Sequence, residues 1–189
     1  IDPALRNCVQ DTMNEQDWVN PEQITKLKCH SMDIQSLTGL DKANNLSYLS
    51  IYNNRLSSID INLFSFPKLQ TLNIARNNLN NVNLERLSQL ERLYVFDNGM
   101  EELSLSKLPN LQILKANNNK LVQFEYSDTP SVEKIYIFNN QLETINIYDL
   151  PALTYMDCRQ NPMPDELYDE MDKQENVTYL HDGNAEDWN

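Results

Sequence analysis

Seven times along the chain, apolar side chains fall at positions 1, 4, 6 and 11 of a segment whose other positions are mostly polar. The segments are ITKLKCHSMDI from Ile24, LSYLSIYNNRL from Leu46, LQTLNIARNNL from Leu69, LERLYVFDNGM from Leu90, LQILKANNNKL from Leu111, VEKIYIFNNQL from Val132 and LTYMDCRQNPM from Leu153. Their starts are spaced by 21 to 23 residues. Positions 4 and 6 alternate with 3, 5 and 7, as side chains do on a strand, so the first pair faces a core and the second trio faces out. One such unit cannot bury its apolar side alone, and stacked copies can. The pattern therefore predicts a solenoid with one short strand per coil.

Position 9 is Asn54, Asn77, Asn98, Asn119, Asn140 and Asn161 in the last six units, and Met32 in the first. A buried Asn must satisfy both ends of its amide, which predicts an asparagine ladder running from coil to coil. A second apolar doublet follows in the second to sixth units: Ile59/Ile61, Val82/Leu84, Leu103/Leu105, Phe124/Tyr126 and Ile145/Ile147. Its spacing of two predicts short extended segments on the return side, and the 21-residue period leaves little room for a helix there. Pro67, Pro109, Pro130 and Pro151 precede the next unit's first apolar residue by two and should close a turn.

The ends read differently. Leu5, Cys8, Val9 and Thr12/Met13 share one helical face, and Asn20-Pro21-Glu22 is a helix-start signal. Residues 1–23 are thus expected to be an N-terminal helical cap, 24–163 the repeats, 164–181 a C-terminal cap and 182–189 an acidic tail. The C-terminal cap should hold a helix over 164–174, with Leu167 and Met171 toward the core, and a last strand at 177–180. Cys29 faces inward beneath the first cap. A Cys8–Cys29 disulfide would close a loop of about 20 residues and add roughly 3 kcal/mol. Two separate buried thiols are the alternative. Cys158, at position 6 of the seventh unit, reads as a small buried apolar residue.

Composition changes the picture in one respect. The chain of 189 residues carries 28 acids against 15 bases, a net charge of −13, which disfavours general binding to nucleic acid or anionic membranes. No apolar run approaches the ~20 residues that span a bilayer. The acids are not evenly placed: residues 165–189 hold nine acids and one base, whereas 24–163 hold 14 and 13. The outward strand positions are different again. Lys26, Tyr48, Thr71, Arg92, Ile113, Lys134 and Tyr155 fill position 3; Lys28, Ser50, Asn73, Tyr94, Lys115, Tyr136 and Asp157 position 5; His30, Tyr52, Ala75, Phe96, Asn117, Phe138 and Arg159 position 7. These places hold seven of the sixteen aromatics, six bases and one acid. Seven strands ~4.8 Å apart make a face about 29 Å long.

Aromatic and arginine groups serve desolvated binding centres, and flanking bases steer acidic partners. The expected partner-binding residues are Tyr48, Tyr52, Arg92, Tyr94, Phe96, Lys115, Lys134, Tyr136, Phe138, Tyr155 and Arg159. Strand propensity and cross-strand stacking alone offer a competing reason for the rings. Catalytic chemistry has little to stand on. His30 and His181 lie near opposite ends, Glu101/Glu102 fall on a return turn, and no Ser-His-Asp or Cys-His pair occurs within the repeats. The carboxylates of 165–187 lack EF-hand spacing. No catalytic residue, metal or cofactor is expected. Asn45-Leu-Ser and Asn176-Val-Thr match the glycosylation sequon, as so much Asn would produce by accident.

The units LPNLQILKANNNKL and LPALTYMDCRQNPM resemble the short bacterial class of leucine-rich repeats, whose familiar members are the internalins. DPALRNCV followed by ITKLKC resembles the cysteine-containing N-terminal cap of repeat proteins exported by Gram-negative bacteria, often as lipoproteins. The resemblance implies an α/β repeat solenoid: a right-handed leucine-rich repeat array of seven units with a concave parallel sheet, a short extended convex side and helical caps at both ends. It implies a recognition module without intrinsic catalysis, exported to a periplasm or cell surface or secreted; the aromatic and basic outward positions point to an acidic protein or peptide as partner, and a monomer is expected. Some such proteins are adhesins or virulence factors. A structural spacer and a carbohydrate-binding surface are the alternative functions. Ala116 at an inward place and Met32 in the Asn column depart from the pattern.

Overall fold

The computed structural model describes residues 2–59, 66–84 and 86–183. In chain order the elements are α1 (Pro3–Glu15), β1 (Lys26–Lys28), β2 (Tyr48–Ser50), β3 (Thr71–Asn73), β4 (Arg92–Tyr94), β5 (Glu102–Ser106), β6 (Ile113–Lys115), β7 (Gln123–Ser127), β8 (Lys134–Tyr136), β9 (Tyr155–Asp157), α2 (Asp165–Asp172) and β10 (Thr178–Leu180). A single 3-10 turn, Pro21–Gln23, joins α1 to β1. Among the described residues, β1, β2, β3, β4, β6, β8, β9 and β10 form one parallel sheet in that order. The register is unbroken, so Tyr94 lies beside Lys115, Lys115 beside Tyr136, and Tyr136 beside Asp157. The sheet is one strand longer than the seven units, because β10 of the C-terminal cap continues it.

Positions 4 and 6 fill the core. Leu27, Leu49, Leu72, Leu93, Leu114, Ile135 and Met156 are wholly buried, as are Cys29, Ile51, Ile74, Val95, Ala116, Ile137 and Cys158. Strands of three residues supply few ladder bonds, and the asparagines make up the difference. Asn119 Nδ2 donates to the carbonyls of Ala116 in its own coil (3.0 Å) and Val95 in the coil before (3.1 Å), while its Oδ1 accepts from Met100 N–H (3.2 Å). Asn140 and Asn161 repeat this geometry one and two coils on. Asn54, Asn77 and Asn98 repeat it toward the N-terminus. Each amide thus satisfies groups of two adjacent coils, and successive asparagines share the carbonyls of Ile74, Val95, Ala116 and Ile137. Met32 stands outside this column, is 41% exposed, and gives its own N–H to Asn54 Oδ1.

The position before each ladder Asn carries a second regularity. Ser31, Asn53, Arg76, Asp97, Asn118, Asn139 and Gln160 all have φ between 53° and 56°. Left-handed backbone disfavours most L-residues and is least costly for Asn and Asp, which fill four of the seven places. The turn closes the strand so that position 9 can point inward.

Pro67, Pro109, Pro130 and Pro151 occupy the second place of turns closed by Leu69 N–H to Phe66 O, Leu111 to Leu108, Val132 to Thr129 and Leu153 to Leu150. Proline's fixed φ suits that place. The return side is less regular than the doublets imply. Among the described residues its strands are β5 and β7, paired from Glu102 beside Gln123 to Ser106 beside Ser127. Ile145 and Ile147 are buried yet form no strand. There Asn146 Oδ1 accepts Tyr148 N–H at 2.9 Å, and Tyr126 Oη donates to Asn146 O at 2.8 Å. Side-chain bonds of this kind give the backbone an alternative to a ladder. Ile61 and residues 184–189 lie outside the described residues.

Both core ends are covered. α1 buries Leu5, Cys8 and Met13, and Cys8 is disulfide-bonded to Cys29. Asp2 caps α1 through Oδ1, which accepts from Ala4 N–H (2.9 Å) and Leu5 N–H (3.1 Å), and its Oδ2 reaches Gln35 N–H (2.8 Å) and Ser36 N–H (3.3 Å) in the first return loop. At the other end α2 buries Tyr168 and Met171, with Leu167 only partly covered. Tyr168 takes the deeper place because its ring stacks on His181 at 4.6 Å and its hydroxyl donates to Asn161 O at 3.2 Å. His181 is wholly buried and within 3.0 Å of Asp172 Oδ1.

Two outcomes follow from these contacts. Asn119→Ala removes the acceptor of Met100 N–H and one of the two asparagine donors at Val95 O and Ala116 O, and should cost about 1–3 kcal/mol in chemical denaturation, with the secondary structure kept. Asp2 carries the pH dependence of the cap. Burial pushes its carboxyl up, but bonds from Gln35, Leu5, Ala4 and Ser36 N–H outweigh this and hold it below the ordinary carboxylate value. A depressed folded value means stability that is full above the unfolded value of about 3.9 and lost as pH falls through the folded one. The stability difference between the native chain and Asp2→Ala should be about 1 kcal/mol at pH 7 and should shrink as the pH falls below the unfolded value of about 3.9.

Candidate recognition surface

All eleven side chains expected to bind a partner stand on one face of the eight-stranded sheet or at its C-terminal rim, and the structure divides them into groups. The largest runs along position 5 of three successive coils and ends on Tyr155 at position 3 of the next. Lys115 Nζ lies 5.8 Å from the centre of the Tyr94 ring and 5.0 Å from that of Tyr136, and the Tyr136 and Tyr155 rings are 5.2 Å apart. An ammonium between two ring faces is held by the quadrupole of each. Lys134 beside it is exposed. Burial raises the Tyr155 hydroxyl above its ordinary value, with Asp157 adding to the shift, so it is a neutral donor at physiological pH.

A second group covers the middle. Tyr52 and Phe96, two coils apart, lean toward each other to 6.3 Å, and Arg76 lies 5.6 Å from the Tyr52 ring. Between them Ala75 is wholly buried, so a place expected to face outward has become a floor beneath the rings. Ser50, Thr71, Asn117 and Asp157 are covered in the same way, since a small residue between large neighbours loses its access to water. Phe96 and Phe138 are half-buried, not fully exposed as their outward positions imply.

Two of the expected cations are already engaged. Arg159 meets Asp157 with both ends of its guanidinium, Nε to Oδ1 at 2.9 Å and Nη2 to Oδ2 at 2.8 Å. That bond holds the arginine above its ordinary value and neutralises the one acid of the face. Arg92 lies 3.2 Å from Glu91 across the surface, a pairing that solvent weakens. Among the described residues no ion pair involves Lys26, Lys28, Lys115 or Lys134. Cys158 has no part in the surface; burial first, then Asp157, pushes its thiol up to about 12.

Three features were not singled out by sequence reasoning. Lys26 and Lys28 both reach the Tyr48 ring, at 5.1 and 5.7 Å. Trp18, from the connection after α1, stands beside them in a cleft at the sheet's N-terminal edge. Along the rim, the left-handed residues form a polar chain, with Arg76 Nε and Asn118 Nδ2 both donating to Asp97 and Asn139 Nδ2 donating to Asn118. The Asn and Asp enrichment of that column was the available signal for the last. Nothing in the sequence brings Trp18 to β1.

The stacked coils, inward amide ladder and parallel face define the class: this is a leucine-rich repeat solenoid. The family model described as leucine rich repeat matches residues 44–100. No curated protein matches the sequence. Among solved structures, internalin C2 of Listeria monocytogenes is similar over 95% of this chain and 93% of its own, with a TM-score of 0.67 at 19% identity. The leucine-rich repeat domain of APL1 also gives 0.67, at 23% identity, over 79% of this chain and 40% of its own. A leucine-rich repeat protein of Leptospira interrogans gives 0.55 at 19% identity, over 84% and 37%. The chain thus has the leucine-rich repeat fold.

Proposed function

We propose that this chain is a non-enzymatic protein-recognition module that binds an acidic protein or peptide through its aromatic and basic sheet face. One observation carries the reading: the charge of the molecule is sorted by face. The outward strand positions hold six bases and one acid, and that acid is bound by Arg159. The rest of the chain holds 27 acids and nine bases. Such a field repels an acidic partner from the ends and back and admits it only at the sheet, which sets orientation as well as rate. Tyr94, Tyr136 and Phe138 with Lys115 and Lys134 form the centre. Their packing before a partner arrives lowers the entropy lost on binding.

The disulfide supports an exported protein, because such bonds persist in oxidising compartments. The net charge of −13 supports a monomer by mutual repulsion.

A peptide-library selection on the immobilised protein tests the reading. The enriched peptides should combine acidic with aromatic or aliphatic residues. Lys115→Glu combined with Tyr136→Ala should weaken them by about 2 kcal/mol, roughly thirtyfold, with the denaturation midpoint nearly unchanged. Enrichment without acidic residues, or equal binding by the double variant, contradicts it.

A further inference from the structure

The cleft at the N-terminal edge of the sheet has a construction of its own. It has a volume of about 450 Å³ and lies where the last turn of α1 passes β1. Lys26, Lys28 and Thr25 form one wall, and the Trp18 ring stands with them. Thr12, Glu15 and Gln16 from the end of α1 form the other. Both ammonium groups reach the Tyr48 ring, and among the described residues no carboxylate is in ion-pair contact with either. An incoming anion is attracted by both charges. His30, next in the column, reports the same field: burial, and then the charge of Lys28, hold its imidazole below the ordinary value.

The opposite wall limits what the anion can be. Glu15 is negative, and the C-terminal end of α1 adds the negative pole of its dipole. A dianion or polyanion would be driven off by that wall. A single carboxylate with hydrogen-bond donors beside it suits both walls, and the Trp18 ring offers an apolar side chain a place to pack. Extended peptide has these three features together: an acidic side chain, backbone N–H groups and an apolar neighbour.

We infer that this cleft is an anchoring subsite for one acidic residue and its apolar neighbour in an extended segment of the partner, which then crosses the sheet to the Lys115 centre. The inference rests on the reading above for the second half of that path. From β1 to β6 there are four strand spacings, about 19 Å, which about six extended residues span.

The test uses the full chain carrying Trp188→Phe, so that Trp18 gives the one indole N–H signal in a proton–nitrogen NMR spectrum. The probe is a capped synthetic peptide with two Glu-Leu pairs separated by about six Ser and Gly residues. Its twin has Lys for Glu. The Trp18 indole and the β1 amides should shift saturably with the acidic peptide and not with its twin. Lys26→Ser with Lys28→Ser should weaken that response about tenfold, while the Lys115 and Tyr136 amides still respond. Shifts confined to Lys115 and Tyr136 overturn the anchoring subsite and leave the sheet reading intact. Shifts confined to the cleft keep the subsite and count against the sheet centre. Equal cleft shifts with inorganic phosphate or a sulfated oligosaccharide overturn the assignment to a carboxylate, and absence of any shift overturns the subsite altogether.

Discussion

The molecule depends on a side-chain amide that serves two coils at once. Asn77, Asn98, Asn119, Asn140 and Asn161 each donate to their own coil and to the one before, and accept from a backbone N–H of that earlier coil. Leucine stacking is non-directional and would tolerate sliding; a geometric bond repeated at 21-residue intervals does not. Because every rung fixes the offset between neighbours, the strands stay in register, and side chains far apart in sequence become adjacent columns. The cation between two rings at Lys115 exists only because three coils align.

That alignment has two effects on the face. The rings rest on each other and on lysines, so part of their apolar surface is covered before any partner arrives. What remains is held in place and loses little freedom on contact. The same packing puts Ala75 and Ser50 beneath their larger neighbours and gives the face relief. Charge sorting acts at longer range, within the roughly 10 Å that salt allows. Acids on the caps and return side, with bases on the sheet, make the approach directional for a protein whose overall charge is strongly negative.

The fold was legible because its determinants repeat. Leucines at 1, 4 and 6 and asparagine at 9 recur often enough to override local ambiguity, and the strands fall at positions 3–5 throughout. The inward place of Cys29 under an amphipathic helix pointed to Cys8. What was illegible depends on single residues. Whether an apolar doublet pairs as a strand turns on neighbours such as Asn146, whose side chain competes for the backbone. Tyr168 outranks Leu167 because of a stacking partner, His181, that lies thirteen residues away. At the candidate surface the columns could be listed from the sequence, but not which ring leans on which. Arg159 was counted as a free cation although Asp157, two residues earlier on the same face, binds it. The return of Trp18 to β1 depends on the path of a cap that has no repeat to announce it.

Hydrogen exchange at individual amides tests the ladder most directly. The N–H groups of Leu56, Leu79, Met100, Leu121 and Leu142 lie outside the strands, and each is bound by the asparagine carbonyl oxygen of the following coil. If those bonds hold the coils in register, these amides exchange as slowly as the strand amides of β3, β4, β6 and β8, through the same global opening. Exchange at the rate of exposed turns, while the strands stay protected, would contradict it.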